Sequence, residues 1–111
     1  MLNQTILVGR LTKDPELLET DNGKKRTSFV LAVNRQYKNT EGTYDTDFIR
    51  CILWNNIAAK TCDYCKKGDI VGIKGRLETS SYEKDGEIKY SCDVIAEKVT
   101  FLSSRKQEEA E

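Results

Sequence analysis

The sequence has no histidine, one proline and no long run of apolar residues. Without histidine, it lacks the side chain that most often carries protons or binds metal near neutral pH. No apolar run approaches the roughly 20 residues of a membrane-spanning helix, so we expect no membrane segment. The start, MLNQTILVGRL, lacks the basic region, apolar block and small-residue cleavage site of a secretion signal. We therefore expect a cytoplasmic protein, and a length of 111 residues suits one domain.

The sequence also lacks an excess of either charge, because 18 basic and 18 acidic residues cancel to a net charge of zero. This balance excludes a uniformly basic nucleic-acid protein of the histone kind. It does not exclude a nucleic-acid ligand, since local patches of charge matter more than the sum. Any such binding could not rest on electrostatics alone.

Four cysteines are present, at positions that do not form a metal site. Cys62 and Cys65 make a lone C-x-x-C motif, and Cys51 and Cys92 do not supply a second pair at zinc-binding spacing. A thioredoxin-type motif would lie at the start of a helix, whereas this one lies near the end of a predicted helix. We interpret the four as buried reduced thiols and expect neither metal nor cofactor.

Strand patterns dominate the rest of the sequence. They occur in QTILVGRL, RTSFVLAVNR, DFIRCILWN, DIVGIKGRLETSSY and EIKYSCDVIAEKVTFL. One helix is predicted within NNIAAKTCDYCKKGD, with Asn56 as its N-cap, two lysines in its last turn and Gly68 as its C-terminal cap. Three strands, a helix and two strands are the order of the all-β, five-stranded OB barrel, in which the helix lies between strands 3 and 4. We predict this domain over residues 1–104, followed by a charged, disordered tail, RKQEEAE, at 105–111.

The alternation of side chains along the strands predicts which residues face the barrel interior. Inward positions are predicted for Ile49, Cys51, Leu53, Val71, Ile73, Gly75 and Leu77. The opposite parity leaves aromatic rings and cations on the outer face of the third and fourth strands, namely Phe48, Arg50, Trp54, Lys74, Arg76 and Tyr82. Arg35 and Tyr37 extend the second strand beyond its apolar part. Three neighbouring strands thus each offer an outward ring and an outward cation.

Rings beside cations on one surface are typical of proteins that bind single-stranded nucleic acid. Bases stack on the rings without contacts that distinguish one base from another, and cations contact the phosphates of the backbone. The predicted phosphate contacts are Arg35, Arg50, Lys74 and Arg76, with Arg10, Lys38 and Lys67 as weaker candidates.

The same segments resemble a known family. From Leu2 to about Leu102 the chain is similar to bacterial single-stranded DNA-binding proteins, through TILVGRLTKDPEL, VNRQYK, TDFIRCILWN and YCKKGDIVGIKGRLETSSY. The resemblance implies an OB barrel that assembles as a homotetramer and binds DNA during replication, recombination or repair. It also implies that bases stack on Tyr37, Phe48, Trp54 and Tyr82, the rings that strand parity selects.

The sequence departs from the family pattern at its C-terminal end and around the rings. Many members continue into a long linker and an acidic tip with apolar last residues, which docks replication and repair proteins. RKQEEAE has no apolar end, so such partners are not implied here. Ser80 and Ser81 stand where relatives often carry basic residues, and three ring positions hold tyrosine or phenylalanine where relatives often have tryptophan. The differences at the serines and at the ring positions predict somewhat weaker DNA binding.

Other functions fit the same residues. The rings could form the interface of an OB-fold adaptor in a replication complex, or bind RNA. Asp45 and Asp47 could be read as the metal site of a nuclease, but two loop aspartates are far more often solvated. With no phosphate-binding glycine loop and no acidic cluster at metal-ligand spacing, we expect a binding protein and not an enzyme.

Overall fold

The computed structural model of the chain describes residues 1–104, so the tail predicted at 105–111 lies outside the described residues. Six strands and one helix follow one another within residues 1–104. They are β1 (Thr5–Leu11), β2 (Leu18–Glu19), β3 (Lys25–Lys38), β4 (Tyr44–Trp54), α1 (Asn55–Tyr64), β5 (Ile70–Lys84) and β6 (Glu87–Ser103).

The strands form one sheet in the order β1-β5-β6-β4-β3-β2, and a further pairing of β1 with β3 closes it into a barrel. Only the β4–β6 pair is parallel among the described strands. The two-residue β2 adds to the outer edge of β3 and takes no part in the closure. The five long strands confirm the predicted OB barrel, with α1 between its third and fourth barrel strands, β4 and β5.

The closure depends on a glycine in β1. Gly9 is followed by Arg10 and Leu11, which pair with Ala32 and Leu31 of β3. A Cβ atom at position 9 would lie 2.6 Å from the carbonyl oxygen of Ala32, closer than real Cβ contacts allow. The absence of a side chain at this position therefore lets β1 approach β3 while it is still paired with β5.

The barrel interior is filled by apolar side chains of one parity from each long strand. The largest of these fully buried side chains are Phe29, Leu11, Leu31, Leu53, Ile73, Val71 and Val94. Ala58 of α1 joins the same cluster, so the helix covers one end of the barrel. Within residues 1–104, no helix combines the length and apolar character needed to cross a membrane.

One residue predicted to be inward, Leu77, is exposed over 45 % of its surface, so that part of the parity prediction is wrong. Strands β5 and β6 pair without interruption from Glu78↔Asp93 to Lys84↔Glu87 and form a long hairpin. The hairpin projects beyond the barrel, where inward parity no longer faces an opposing sheet. Ile88 and Tyr90 on the same hairpin are exposed for the same reason.

The ends of α1 also differ from the prediction. Asn56 lies inside the helix and not at its N-cap, and no side chain caps the N-terminus. The helix ends at Tyr64, before the lysines and Gly68, because Cys65 is extended. The N–H of Cys65 makes the last helical hydrogen bond, to the carbonyl oxygen of Thr61. A carboxylate oxygen of Asp69 then accepts the N–H of Lys66 at 2.8 Å and fixes the turn that follows.

The interpretation of all four cysteines as buried is partly wrong. Cys51 and Cys65 are buried, but Cys62 is half-buried and Cys92 is exposed, and all four are free thiols. Cys92 pairs with Thr79 on the projecting hairpin, where there is no core to enter. Burial raises the pKa of the Cys51 thiol to about 12, and burial also raises the pKa of Cys65.

Candidate nucleic-acid interface

The outer face of β4 carries the rings that strand parity predicts. Phe48 is exposed over 68 % of its surface and Trp54 over 37 %, whereas Cys51 and Leu53 between them are fully buried. The alternation follows from the pleat of a strand with the barrel core on one side only. The part of the parity prediction that concerns β4 is therefore confirmed.

A groove of about 640 Å³ runs over this outer face. It is bounded by β3 and β4 on one side and by the β5–β6 hairpin on the other. Its lining comprises Thr20, Arg26, Arg50, Ile52, Trp54, Glu78, Ser80, Tyr82, Ser91, Asp93 and Ile95. Residues distant in sequence meet here because β6 lies between β4 and β5 in the sheet. The groove, called the outer groove below, brings together two of the four candidate rings, Trp54 and Tyr82, with the cation Arg50.

The other two candidate rings lie outside the outer groove, on the β3–β4 hairpin. Phe48 shares the outer face of β4 with Trp54 and is paired with Ala32 of β3. Tyr37 lies near the end of β3, within the irregularity in strand pairing between Asn34 and Lys38, and is 65 % exposed. The four rings thus span the outer groove and the adjoining hairpin.

Arg35, a candidate phosphate contact, is already paired with a carboxylate. Its guanidinium donates to both carboxylate oxygens of Asp47, at 3.0 to 3.2 Å, and lies 3.8 Å from Asp45. The hydrogen bond with Arg35 holds the pKa of Asp47 below its usual range and raises the pKa of Arg35. The aspartates considered as a metal site therefore act as partners of an arginine.

The remaining candidate cations fall into two groups. Arg50 lines the outer groove, and its side chain makes no hydrogen bond or ion pair with another residue of 1–104, whereas Arg76 is paired with Glu78 at 3.0 Å. Away from the groove, Arg10 donates to the carbonyl oxygen of Gly68 at 2.8 Å. Three more candidates also lie outside the groove. Lys38 lies at the end of β3, Lys67 in the turn after α1, and Lys74 in a depression that it shares with Ile6 and Lys98.

Sequence reasoning missed three charged residues of the outer groove. Arg26 is the cross-strand partner of Trp54, and its guanidinium carbon lies 5.6 Å from the centre of the indole ring. Glu78 and Asp93 face each other across β5 and β6 and line the groove with carboxylates. Strand parity could have placed Arg26 on the outer face, but the registers that join these residues are not visible in the sequence. Within residues 1–104 no cluster of three potential metal ligands occurs.

Comparisons with known proteins agree on one family. The model of the single-strand binding protein family matches residues 2–102. The single-stranded DNA-binding protein of Bacillus cereus is 48 % identical over 106 residues, which cover 95 % of this chain and 62 % of that protein. Single-stranded DNA-binding protein B of Bacillus subtilis is 44 % identical over 111 residues, which cover 99 % of this chain and 98 % of that protein.

A solved structure is also similar. The crystal structure of a deletion mutant of the single-stranded DNA binding protein from Thermus aquaticus superposes with a TM-score of 0.78 at 31 % identity. The match covers 96 % of this chain and 53 % of the Thermus chain. The present chain thus spans less than two-thirds of the length of several relatives that it matches.

Proposed function

The chain belongs to the single-strand binding protein family, and we propose that it binds single-stranded DNA without sequence preference. The observation that carries the proposal is the outer groove, where Trp54 and Tyr82 lie with Arg50 on one connected surface. We further propose that the chain serves replication, recombination or repair in the cytoplasm, where single strands are exposed.

Base stacking supplies most of the binding free energy in this proposal. A single strand offers flat bases that are no longer paired, and stacking on a protein ring contributes about 1–3 kcal/mol per base. Four rings exposed between 37 % and 68 % can therefore hold a strand on a protein whose net charge is zero. Since every base has a flat face, stacking discriminates little between sequences.

Cations of the same surface hold the phosphates. Arg50 lies in the outer groove with its guanidinium unpaired within residues 1–104, so a phosphate that binds it displaces no carboxylate partner. Arg35 and Arg76 must exchange a carboxylate partner for a phosphate. We therefore propose Arg50 as the principal phosphate contact among the candidate residues, with Arg35 and Arg76 weaker.

A titration with oligomers of deoxythymidine tests the proposal. Trp54 is the single tryptophan of the chain, so its fluorescence reports on one position in the outer groove. We expect quenching that saturates, and tighter binding as the oligomer lengthens across the four rings. Absence of quenching at micromolar concentrations would contradict the proposal and favour the protein–protein adaptor. Preferential quenching by oligouridine would favour an RNA ligand.

We also propose that the chain assembles into a homotetramer through β1. Ile6 and Val8 are 72 % and 54 % exposed on its outward face. One edge of β1 pairs with β5, but β3 pairs only with Arg10 and Leu11. Within the described residues, the second edge of Thr5–Gly9 is therefore open to pairing with another copy across a two-fold axis.

Light scattering tests the assembly. We expect the mass of four chains at micromolar protein, and dissociation when Ile6 and Val8 are both replaced by glutamate. Tyr64→Glu, which replaces an exposed ring on α1, is the control and should leave the mass unchanged. A monomeric mass for the unaltered chain would refute the tetramer without affecting the proposed DNA binding.

A further inference from the structure

Arg26 and Trp54 form a stacked pair at the edge of the outer groove. They are direct cross-strand partners of β3 and β4, and the guanidinium carbon lies 5.6 Å from the centre of the indole ring. This distance is within the range of a cation–π interaction. Leu18 of β2 pairs with Arg26 from the other side, so the backbone of Arg26 is held between two strands. Both members of the pair line the groove.

The Arg26 guanidinium retains its hydrogen-bonding capacity. Within residues 1–104, the side chain of Arg26 makes no hydrogen bond or ion pair, and its guanidinium interacts only with the Trp54 ring. A guanidinium that packs over a ring keeps its N–H donors, which point outward in its own plane. The pair therefore places an aromatic surface and an unused planar donor side by side, a few ångströms apart.

We propose that Arg26 is a phosphate-binding residue of the outer groove. The inference rests on the proposed function, and it adds a contact that neither strand parity nor the ring positions identified. With the base of one nucleotide on the exposed part of the Trp54 ring, the adjoining phosphate lies within reach of the guanidinium. Arginine suits this role because its fork of donors matches two phosphate oxygens at once.

The contact with Trp54 also holds the Arg26 side chain in place before a phosphate binds. Because Arg26 is held against the ring, little side-chain freedom is lost when the phosphate binds, unlike at a free lysine on the surface. Arg26 and Trp54 therefore act together on one nucleotide, and removal of the ring weakens the contribution of the cation.

Salt-dependent binding of a deoxythymidine oligomer separates this role from simple support of the indole ring. Each phosphate neutralised on a single strand contributes about 0.7 to the slope of log K against log salt. Arg26→Ala should reduce the slope by about that amount and weaken binding on the order of five-fold at low salt. Arg26→Lys keeps the charge, so it should retain the slope while losing part of the affinity. In a Trp54→Ala background, Arg26→Ala should cost a smaller factor.

Lys25→Ala is the matched control, because it removes the same charge from the preceding residue on the opposite face of β3. It should leave slope and affinity near those of the unaltered chain. Should Arg26→Ala not fold, Arg26→Gln removes the charge while keeping a long polar side chain. If Arg26→Ala or Arg26→Gln matches Lys25→Ala in slope, Arg26 only supports the ring and the inference is wrong. If the unaltered chain does not bind the oligomer, the proposed function itself fails.

Discussion

Arg35 and Asp47 form a forked ion pair at the base of the β3–β4 hairpin, with three N–H···O distances of 3.0 to 3.2 Å. The two residues are held there by the pairing of Val33 with Asp47, just before the strand irregularity. The hydrogen bond with Arg35 lowers the pKa of Asp47. A phosphate that binds Arg35 must therefore compete with a carboxylate that already occupies the fork.

This competition predicts that DNA affinity rises as the pH falls into the acid range. When a phosphate takes the guanidinium, Asp47 loses the partner that lowers its pKa, so the pKa of Asp47 rises in the complex. The complex then binds a proton more readily than the free protein does, and lower pH favours the complex. The pH window extends downward from the ordinary aspartate pKa of about 3.9. Oligomer affinity measured at about pH 3 to 6 tests this prediction. Circular dichroism over the same range checks that the protein stays folded.

Asp47→Asn is the matching variant for that prediction. It removes the titrating group and frees Arg35, so the part of the acid dependence that comes from Asp47 should disappear. At neutral pH the variant should bind more tightly, on the order of two- to five-fold. If the carboxyl of Asp47, followed by NMR, titrates identically with and without DNA, Arg35 stays in its ion pair and is not a phosphate contact.

Asp93 gives a second prediction about charge in the outer groove. It lies opposite Glu78, and while Glu78 is paired with Arg76, Asp93 makes no ion pair with another residue of 1–104. Its charge repels phosphates that enter the groove, so Asp93→Asn should tighten oligomer binding on the order of two- to five-fold at low salt. The gain should shrink as salt rises, because screening reduces the repulsion.

Asp63→Asn is the control for this variant, because it removes the same charge from an exposed position of α1. It should change affinity little. Equal effects of the two substitutions would show that net charge alone, and not the place of Asp93 in the groove, decides the outcome.

Local alternation along one strand was enough to predict part of this architecture. In β4, Cys51 and Leu53 are buried and Phe48 and Trp54 exposed, because one strand with a single buried face has only two possible parities. The position of the helix was likewise predictable, since its apolar spacing differs from that of the strands. These features depend on neighbours in sequence.

Features that depend on pairing between distant strands were not predictable in this way. The exposure of Leu77 depends on how far the β5–β6 hairpin projects beyond the barrel. The contact of Arg26 with Trp54 depends on the register between β3 and β4. The facing positions of the Glu78 and Asp93 carboxylates depend on the register between β5 and β6. A one-residue change of register would alter each contact without altering any local pattern.

The four thiols should differ sharply in reactivity. Thiolate is the reactive form, and burial raises the pKa of Cys51 to about 12, so this thiol stays protonated near neutral pH. A thiol reagent at pH 8 should modify the exposed Cys92 first and leave Cys51 and Cys65 unmodified until the protein unfolds. Mass spectrometry of the partly modified protein identifies the sites. Early modification of Cys51 would show that the barrel opens readily.

The same burial predicts a loss of stability in alkaline solution. Because the pKa of Cys51 is raised in the folded state, the contribution of this thiol to the free energy of unfolding is fully present below the ordinary cysteine pKa of about 8.5. Between that value and about 12, the unfolded chain releases the proton and the folded chain keeps it, so stability falls as pH rises. In Cys51→Ala, the free energy of unfolding should vary less steeply with pH between these limits, although the variant is less stable overall.

Leu53 and Trp54 allow the sharpest test, since they are consecutive residues on opposite faces of β4. Leu53 is fully buried and Trp54 is 37 % exposed. Leu53→Ala should cost about 2–5 kcal/mol in the free energy of unfolding, as expected for a core leucine. Phe48→Ala and Trp54→Ala should instead weaken oligomer binding by about 1–3 kcal/mol each, the range for stacking of one base.

Trp54→Ala also removes the contact with Arg26, so a stability loss of about 0.5–1 kcal/mol is expected from that source. Phe48, at 68 % exposure, should lose less stability than Trp54. Thermal melting and oligomer affinity of the three variants distinguish the two faces of β4. Loss of a core side chain lowers the melting temperature, whereas loss of a stacking ring lowers the affinity. If Trp54→Ala lowers the melting temperature as much as Leu53→Ala does, the ring belongs to the core and the outer groove is not the DNA-binding surface.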